Sequence, residues 1–239
     1  MLTSSPKAFP VTRWSLILQA NSGNQRAQAR AMEELCSIYW APLYAFARSR
    51  GHSVEDSEDF TQTFVARLVH RDALKSVEPR DAKLRSFLLT LFQRFLIDEW
   101  RGNQAQKRGG DTLVISLDAE LAESKMEIDS DLSPEKLFER NWARTLLAQV
   151  LKQLEKSYRD RGKEDLFVVL RPFIDGGDDA SYEKAAQTLG GKIETIRVYV
   201  HRLRKDFQEL IRSELAETLT EGEDLEEELR YLLAAFSSS

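Results

Sequence analysis

One cysteine, three histidines, 11 glycines and 6 prolines are all that this 239-residue chain contains of the residues that staple, ligate or break. A lone Cys36 excludes an intramolecular disulfide, and its place in the apolar run Leu35, Cys36, Ile38, Tyr39 reads as a small buried hydrophobe. His52, His70 and His201 are scattered, so no Cys/His spacing suggests zinc or any other metal. No apolar run approaches the ~18 residues of a membrane span. The N-terminus also lacks the hydrophobic core of a signal peptide, so a cytoplasmic protein without membrane contact is expected. A glycine-rich phosphate loop, a metal cluster and a nucleophile elbow are all missing, so neither an enzyme nor a cofactor is expected. Few Gly and Pro and few strand-like runs leave an all-α chain.

An excess of positive charge is missing too. The formal net charge is -5, which taken alone argues against nucleic acid. The acidity is segregated, however, and distribution outweighs the sum. Glu217 to Glu228 holds seven acidic residues and no Lys or Arg, and Asp111 to Glu135 holds eight acidic residues and one Lys. Cations gather instead in two helical segments on either side of the second acidic stretch.

The N-terminal block reads as four helices. Thr12-Arg13-Trp14 opens a short one. Gln25 to Ser49 carries the second, where Pro42 is expected to kink or interrupt, and Gly51 ends it. The third, about Glu55 to His70, spaces Phe60, Phe64 and Leu68 four apart, after caps in Ser53 to Ser57. Asp56, Glu58, Asp59 and Gln62 form a polar patch on it, which suits either a helix dipole or a basic partner. The fourth is the most periodic: Leu84, Phe87, Leu88, Leu91, Phe92, Phe95 and Leu96 make one unbroken stripe, with Lys83, Arg85 and Arg94 lying off it. It ends in Trp100, Arg101, Asn103, Gln104, Gln106, Lys107 and Arg108, a ring with amides and cations that suits unstacked bases and phosphates, or a solvated helix end.

Beyond an acidic linker, Ser133-Pro134 restarts a helix as N-cap and first-turn proline, reaching about Tyr158. A shorter helix follows near Glu164 to Ile174, then the turn Asp175 to Asp179. Tyr182 to Ile211 reads as a helix-turn-helix: Ala186 falls on the small crossing position and Gly190 on the turn, with Gly191 where an apolar residue is more usual. In its second helix Ile196, Val200, Leu203, Phe207 and Leu210 face inward. Glu194, Val198, His201 and Lys205 then point outward, flanked by Arg197, Arg202 and Arg204. Such a helix can enter a major groove, or dock on another protein. Leu225, Leu229, Leu232, Leu233 and Phe236 close the chain as an amphipathic segment.

Three stretches together resemble the extracytoplasmic-function (ECF) sigma factors of bacterial RNA polymerase, in the sigma-70 family. SEDFTQTFVARL (57–68) is similar to the polymerase-clamp-binding helix, KLRSFLLTLFQRFLIDEWRGNQAQKRG (83–109) to the promoter-melting helix, and SYEKAAQTLGGKIETIRVYVHRLRKDFQEL (181–210) to the C-terminal helix-turn-helix. FPVTRWSLI and YWAPLYAFARSRG are similar to a planctomycete-type ECF-like subgroup. Gln93-Arg94 departs from the family's commoner Arg-Asn. The resemblance implies two helical domains, 8–109 and 134–212, joined by an acidic linker, 110–133, and followed by an acidic extension, 213–239. It implies that Asp56, Glu58, Asp59 and Gln62 bind the beta-prime clamp of core polymerase. Arg94, Asp98, Trp100, Arg101, Asn103, Lys107 and Arg108 would open and read the minus-ten element. Lys192, Thr195, Arg197, Val198, His201, Arg202 and Lys205 would read the minus-thirty-five element. Further partners would be the beta flap, promoter DNA and an anti-sigma or other regulatory protein, and the extension would fold back on a basic surface or bind a regulator. The rival readings are a helix-turn-helix regulator acting without polymerase and a helical adaptor that binds protein only.

Overall fold

The computed structural model describes residues 25–70, 83–105, 132–175, 181–219 and 224–237. Every regular element among them is a helix. In chain order they are α1 (Gln25–Ser49), α2 (Val54–His70), α3 (Leu84–Ala105), α4 (Pro134–Asp160), α5 (Glu164–Leu170), α6 (Pro172–Asp175), α7 (Tyr182–Leu189), α8 (Ile193–Ala216) and α9 (Leu225–Ser237). Contacts divide the chain into two compact units. One holds the residues up to Thr145 together with those from Ala216 onward; the other is Leu146–Leu215. The expected helix at Thr12 to Trp14 and the linker from 110 to 131 lie outside the described residues.

In the first unit α1 packs along α2. Pro42 neither ends nor interrupts α1, which runs unbroken through it. A proline inside a helix costs about 3 kcal/mol through its missing N–H and its ring clash. Here Ile38, Tyr39, Trp40 and Leu43 to Ala47 are all buried around it, and that burial offsets the loss. Gly51, at φ 88°, ends the helix as expected. Ser53 then caps α2 by accepting the Asp56 N–H at 3.0 Å.

The inward face of α2 differs from the expected phenylalanine stripe. Phe64, Val65 and Leu68 are buried, but so are Ser57 and Thr61, whereas Phe60 is only half-buried. Thr61 escapes a desolvation penalty by donating to the Ser57 carbonyl at 2.7 Å. Phe60 lies at the rim, edge-on to both His52 and Phe95. Aromatic contacts then bind the three helices: Phe92 of α3 meets Phe46 of α1 at 6.2 Å and Phe64 of α2 at 4.9 Å between ring centroids.

α3 is buried over a wider arc than its sequence stripe. Leu84, Leu88, Leu89, Phe92, Phe95 and Leu96 are all covered, and Arg85 among them is 3% exposed. Arg85 does not lie off the stripe in solvent. Its Nε donates to Glu139 of α4 at 2.8 Å and its Nη1 to Glu228 of α9. Its guanidinium also stacks over Trp142 at 4.4 Å and faces the Tyr231 ring at 4.9 Å. Glu228 is fully buried and takes Lys83 as a second cation. α9 therefore belongs to the first unit, held by Leu232 and by this charge cluster. Cys36 is half-buried, and that burial pushes its thiol pKa up.

In the second unit, the later turns of α4 supply Leu154 and Tyr158 to a core shared with Phe167 and Leu170 of α5, Phe173 of α6, Ala185 and Ala186 of α7, and Ile196, Val200 and Leu203 of α8. The single short helix expected from Glu164 to Ile174 is split, because Pro172 has no N–H with which to continue α5. Ser133 caps α4 as expected, accepting the Lys136 N–H at 3.3 Å.

The Arg85 cluster yields a prediction on stability. Burial dominates at Glu139 and pushes its pKa up, against the pull of Arg85. The native state then holds that proton more tightly than the unfolded chain. The contribution of Glu139 is fullest below the ordinary carboxyl pKa and falls away as pH rises through the raised native value. E139Q should flatten that decline and leave stability at neutral pH unchanged or higher, whereas R85A, which leaves Glu139 without its cation and the buried Glu228 with Lys83 alone, should cost about 3–5 kcal/mol. Urea melts of the three proteins across acidic to neutral pH check both.

Candidate nucleic-acid and polymerase interface

The most closely defined surface is built on α7 and α8. Ser181 caps α7 through the Lys184 N–H and donates its own hydroxyl to Glu183 at 2.9 Å. The backbone N–H of Glu183 and the Ser181 hydroxyl hold the Glu183 carboxyl below its usual range. α7 stops at Gly190, which adopts the left-handed conformation at φ 63°, ψ 29°. The Gly191 N–H reaches back to the Ala186 carbonyl at 3.0 Å, so the chain reverses within one turn. Gly191 has no such constraint: its φ is not positive, and an added Cβ would touch only Ile196 at 4.0 Å. Ala185 and Ala186 are buried where the two helices meet.

α8 then presents two sides. Ile196, Val200 and Leu203 are buried, and Phe207 and Leu210, expected on the inward face, are partly buried against the same core. Lys192, Glu194, Thr195, Arg197, Val198, His201, Arg202 and Lys205 are exposed. Val198 is 47% exposed among these charges. Arg204 is different: it donates through Nε and Nη2 to the Phe173 carbonyl at 3.3 and 3.0 Å and so ties α8 to α6. Arg197 leans over Tyr182 at 5.8 Å, which braces it from α7.

In the first unit, Asp56 and Asp59 are exposed on α2, beside Glu55, while Glu58 and Gln62 are half-buried. Exposed acid on the first turns of α2 therefore comes from Glu55, Asp56 and Asp59. Arg94 and Asp98 are exposed on α3. Trp100, Arg101 and Asn103 lie on its last turns, and Lys107 and Arg108 fall outside the described residues. Arg67 of α2 pairs with Glu99 of α3 at 2.6 Å and covers the Phe95 ring, which fixes the two helices side by side.

A family model described as ECF sigma factor matches residues 11–176. The chain belongs to that family. No curated protein and no solved structure matches it. The match takes in α1 to α6 of this sigma factor and ends before α7, so the helix-turn-helix rests on its own geometry. Sigma factors are non-enzymatic initiation factors of RNA polymerase that bind DNA, and the described residues are arranged as helical surfaces in keeping with that. Among the described residues no helix is long and apolar enough to cross a membrane.

Sequence reasoning missed Lys83, Arg85, Glu139, Glu228 and Tyr231 as one assembly. A signal for it existed. Glu228 occupies the register of Leu225, Leu229 and Leu232, and Arg85 that of Leu88, Leu89 and Phe92, so each charge sits on an apolar face.

The turn carries a prediction of its own. G190A should destabilise the second unit by about 1–2 kcal/mol, because a Cβ in the left-handed region meets its own backbone. G191A should be neutral or slightly stabilising. Thermal unfolding of both variants, with duplex binding as a second readout, distinguishes the two glycines.

Proposed function

We propose that this sigma factor carries core RNA polymerase to promoters through two separate faces. The acid face of α2 docks on a basic helical surface of core polymerase, of the kind its beta-prime clamp offers. The cationic face of α8 lies in duplex DNA at the minus-thirty-five element. The observation that carries the reading is the chemical separation of these faces. The first two turns of α2 expose Glu55, Asp56 and Asp59 with no cation among them, whereas α8 exposes Lys192, Arg197, His201, Arg202 and Lys205 around Val198.

Each part has a physical role. Lys192, Arg202 and Lys205 neutralise phosphates and set register, which adds affinity but no sequence information. Thr195, Val198 and His201 reach base edges, and the Val198 methyls suit the methyl group of thymine. Ser181 and Gly190 fix the entry angle of α8, so the reading residues arrive preorganised. Arg94, Asp98, Trp100, Arg101, Asn103, Lys107 and Arg108 open and hold the minus-ten strand, where a base trapped on the protein offsets the few kcal/mol of unstacking. A regulatory protein of anti-sigma type would act by covering one of these faces. A regulator that works without polymerase has no use for the α2 acid face and is the weaker reading.

Capture of purified bacterial core polymerase tests the proposal. The intact chain should bind it, and Asp56→Lys with Asp59→Lys should lower capture by about tenfold or more through like-charge repulsion, while helicity is kept. Equal capture by both would sink the α2 assignment; no capture by either would leave the polymerase-free regulator. In duplex binding, R202Q should weaken all sequences alike and reduce the salt slope by about 1. V198A should instead lose discrimination at one base pair by about 1 kcal/mol.

A further inference from the structure

The C-terminal helix α9 makes contacts that the sigma-factor reading does not require. Among its described side chains Leu232, at 1% exposed, is the only apolar group fully buried; Leu225 and Leu229 are half-buried, and Tyr231 and Leu233 are 43% and 58% exposed. A groove of about 320 Å³ runs along its seam with α4, walled by Glu139, Tyr231, Ala234 and Ala235. Among the described side chains, Leu232 is therefore the centre of the apolar hold on α9. Its charge does more: Glu228, fully buried, bridges Lys83 and Arg85 at the start of α3.

Of the two cations, Arg85 does not depend on α9 alone for its placement, whereas Lys83 meets Glu228 and the Tyr231 ring and is kept near by its position one residue before α3. Arg85 is also held by Glu139 of α4 at 2.8 Å and lies over the Trp142 ring at 4.4 Å. With Glu228 in place two cations face two carboxylates. With Glu228 withdrawn the same two cations face Glu139 alone, and one positive charge is left on the pair, with the Arg85 guanidinium still held by Glu139 and Trp142. A planar guanidinium with a neighbouring ammonium is the donor set that takes a phosphate oxygen pair.

We infer that Lys83 and Arg85 form a binding site for a backbone phosphate of promoter DNA, and that Glu228 of α9 occupies it in the free protein as a carboxylate stand-in. α9 is then an intramolecular competitor for nucleic acid, released when a phosphodiester takes the place of Glu228. The inference rests on the reading of α3 as a promoter-facing helix. It adds to that reading a site at the opposite end of α3 from Trp100 and Arg101, and a means of restraint.

The test uses the full-length chain. L232S removes the apolar anchor without changing charge, so a gain in binding cannot come from net charge alone. Hydrogen exchange at 225–237 reports release of α9. Fluorescence anisotropy with a labelled single-stranded 20-mer of mixed sequence reads affinity across a salt series. L232S should bind about tenfold more tightly at low salt, with a salt slope steeper by about 1, as expected for one to two new phosphate contacts. The gain should shrink in K83Q and vanish in K83Q with R85Q. E228K, which drives α9 off by repulsion, supplies a second releasing variant if L232S stays closed or fails to fold. Release of α9 with unchanged affinity, or a gain that persists undiminished in K83Q with R85Q, overturns the inference. Core polymerase capture by the same variants keeps the two readings apart. Unchanged DNA affinity with capture intact removes only the competitor, whereas loss of capture by every form removes the promoter-factor reading and leaves the DNA comparison to stand by itself.

Discussion

Arg85 is the charge around which the first unit is arranged. A guanidinium cannot shed its proton in a protein, so burying it commits the fold to supplying carboxylates and ring faces nearby. Glu139 comes from 54 residues away and Glu228 from 143, with the Trp142 and Tyr231 rings 4.4 and 4.9 Å from the guanidinium carbon. Two carboxylates stabilise the Arg85 cation against its own desolvation, and its pKa is raised accordingly. Two of these partners lie on α4 and two on α9, so α3, α4 and α9 meet around a single charge. The aromatic packing of Phe46, Phe64 and Phe92 closes the other side of α3, and this helix is therefore held along a broad arc while Arg94 and Asp98 stay in solvent.

The second unit follows a different rule. Its surface is set by a short turn and not by buried charge. Gly190 supplies the one left-handed residue that lets α7 and α8 cross over Ala185 and Ala186. Arg204 satisfies the Phe173 carbonyl and Arg197 lies over the Tyr182 ring, so cations that look alike along α8 differ in what holds them. Family membership and this geometry support each other. The matched residues end before α7, while the helix-turn-helix shows the caps, turn and two-sided second helix that a DNA reader needs.

Much of this was legible along the chain, because the signals are local. A 3.6-residue apolar period, Ser133-Pro134, Gly51 and Ser181 mark helices and their ends through backbone chemistry that needs no tertiary contact. The same period separated Val198, His201 and Lys205 from Ile196, Val200 and Leu203. The splitting of α5 from α6 turns on Pro172, also local, but was hidden by an apolar pattern that runs across it.

What the sequence by itself determined is the all-helical class, several helix ends and the exposed face of α8, since periodicity and capping act over a few residues. Only the tertiary structure decided that Pro42 lies inside an unbroken helix, that Phe60 yields its inward place to Ser57 and Thr61, and that Arg85 is interior. Each of these depends on the free energy of burial, which outweighs local propensity wherever distant segments meet. The sharpest case is Glu228: in sequence it closes an acidic run that reads as solvated, and only the approach of Lys83 and Arg85 makes its burial favourable.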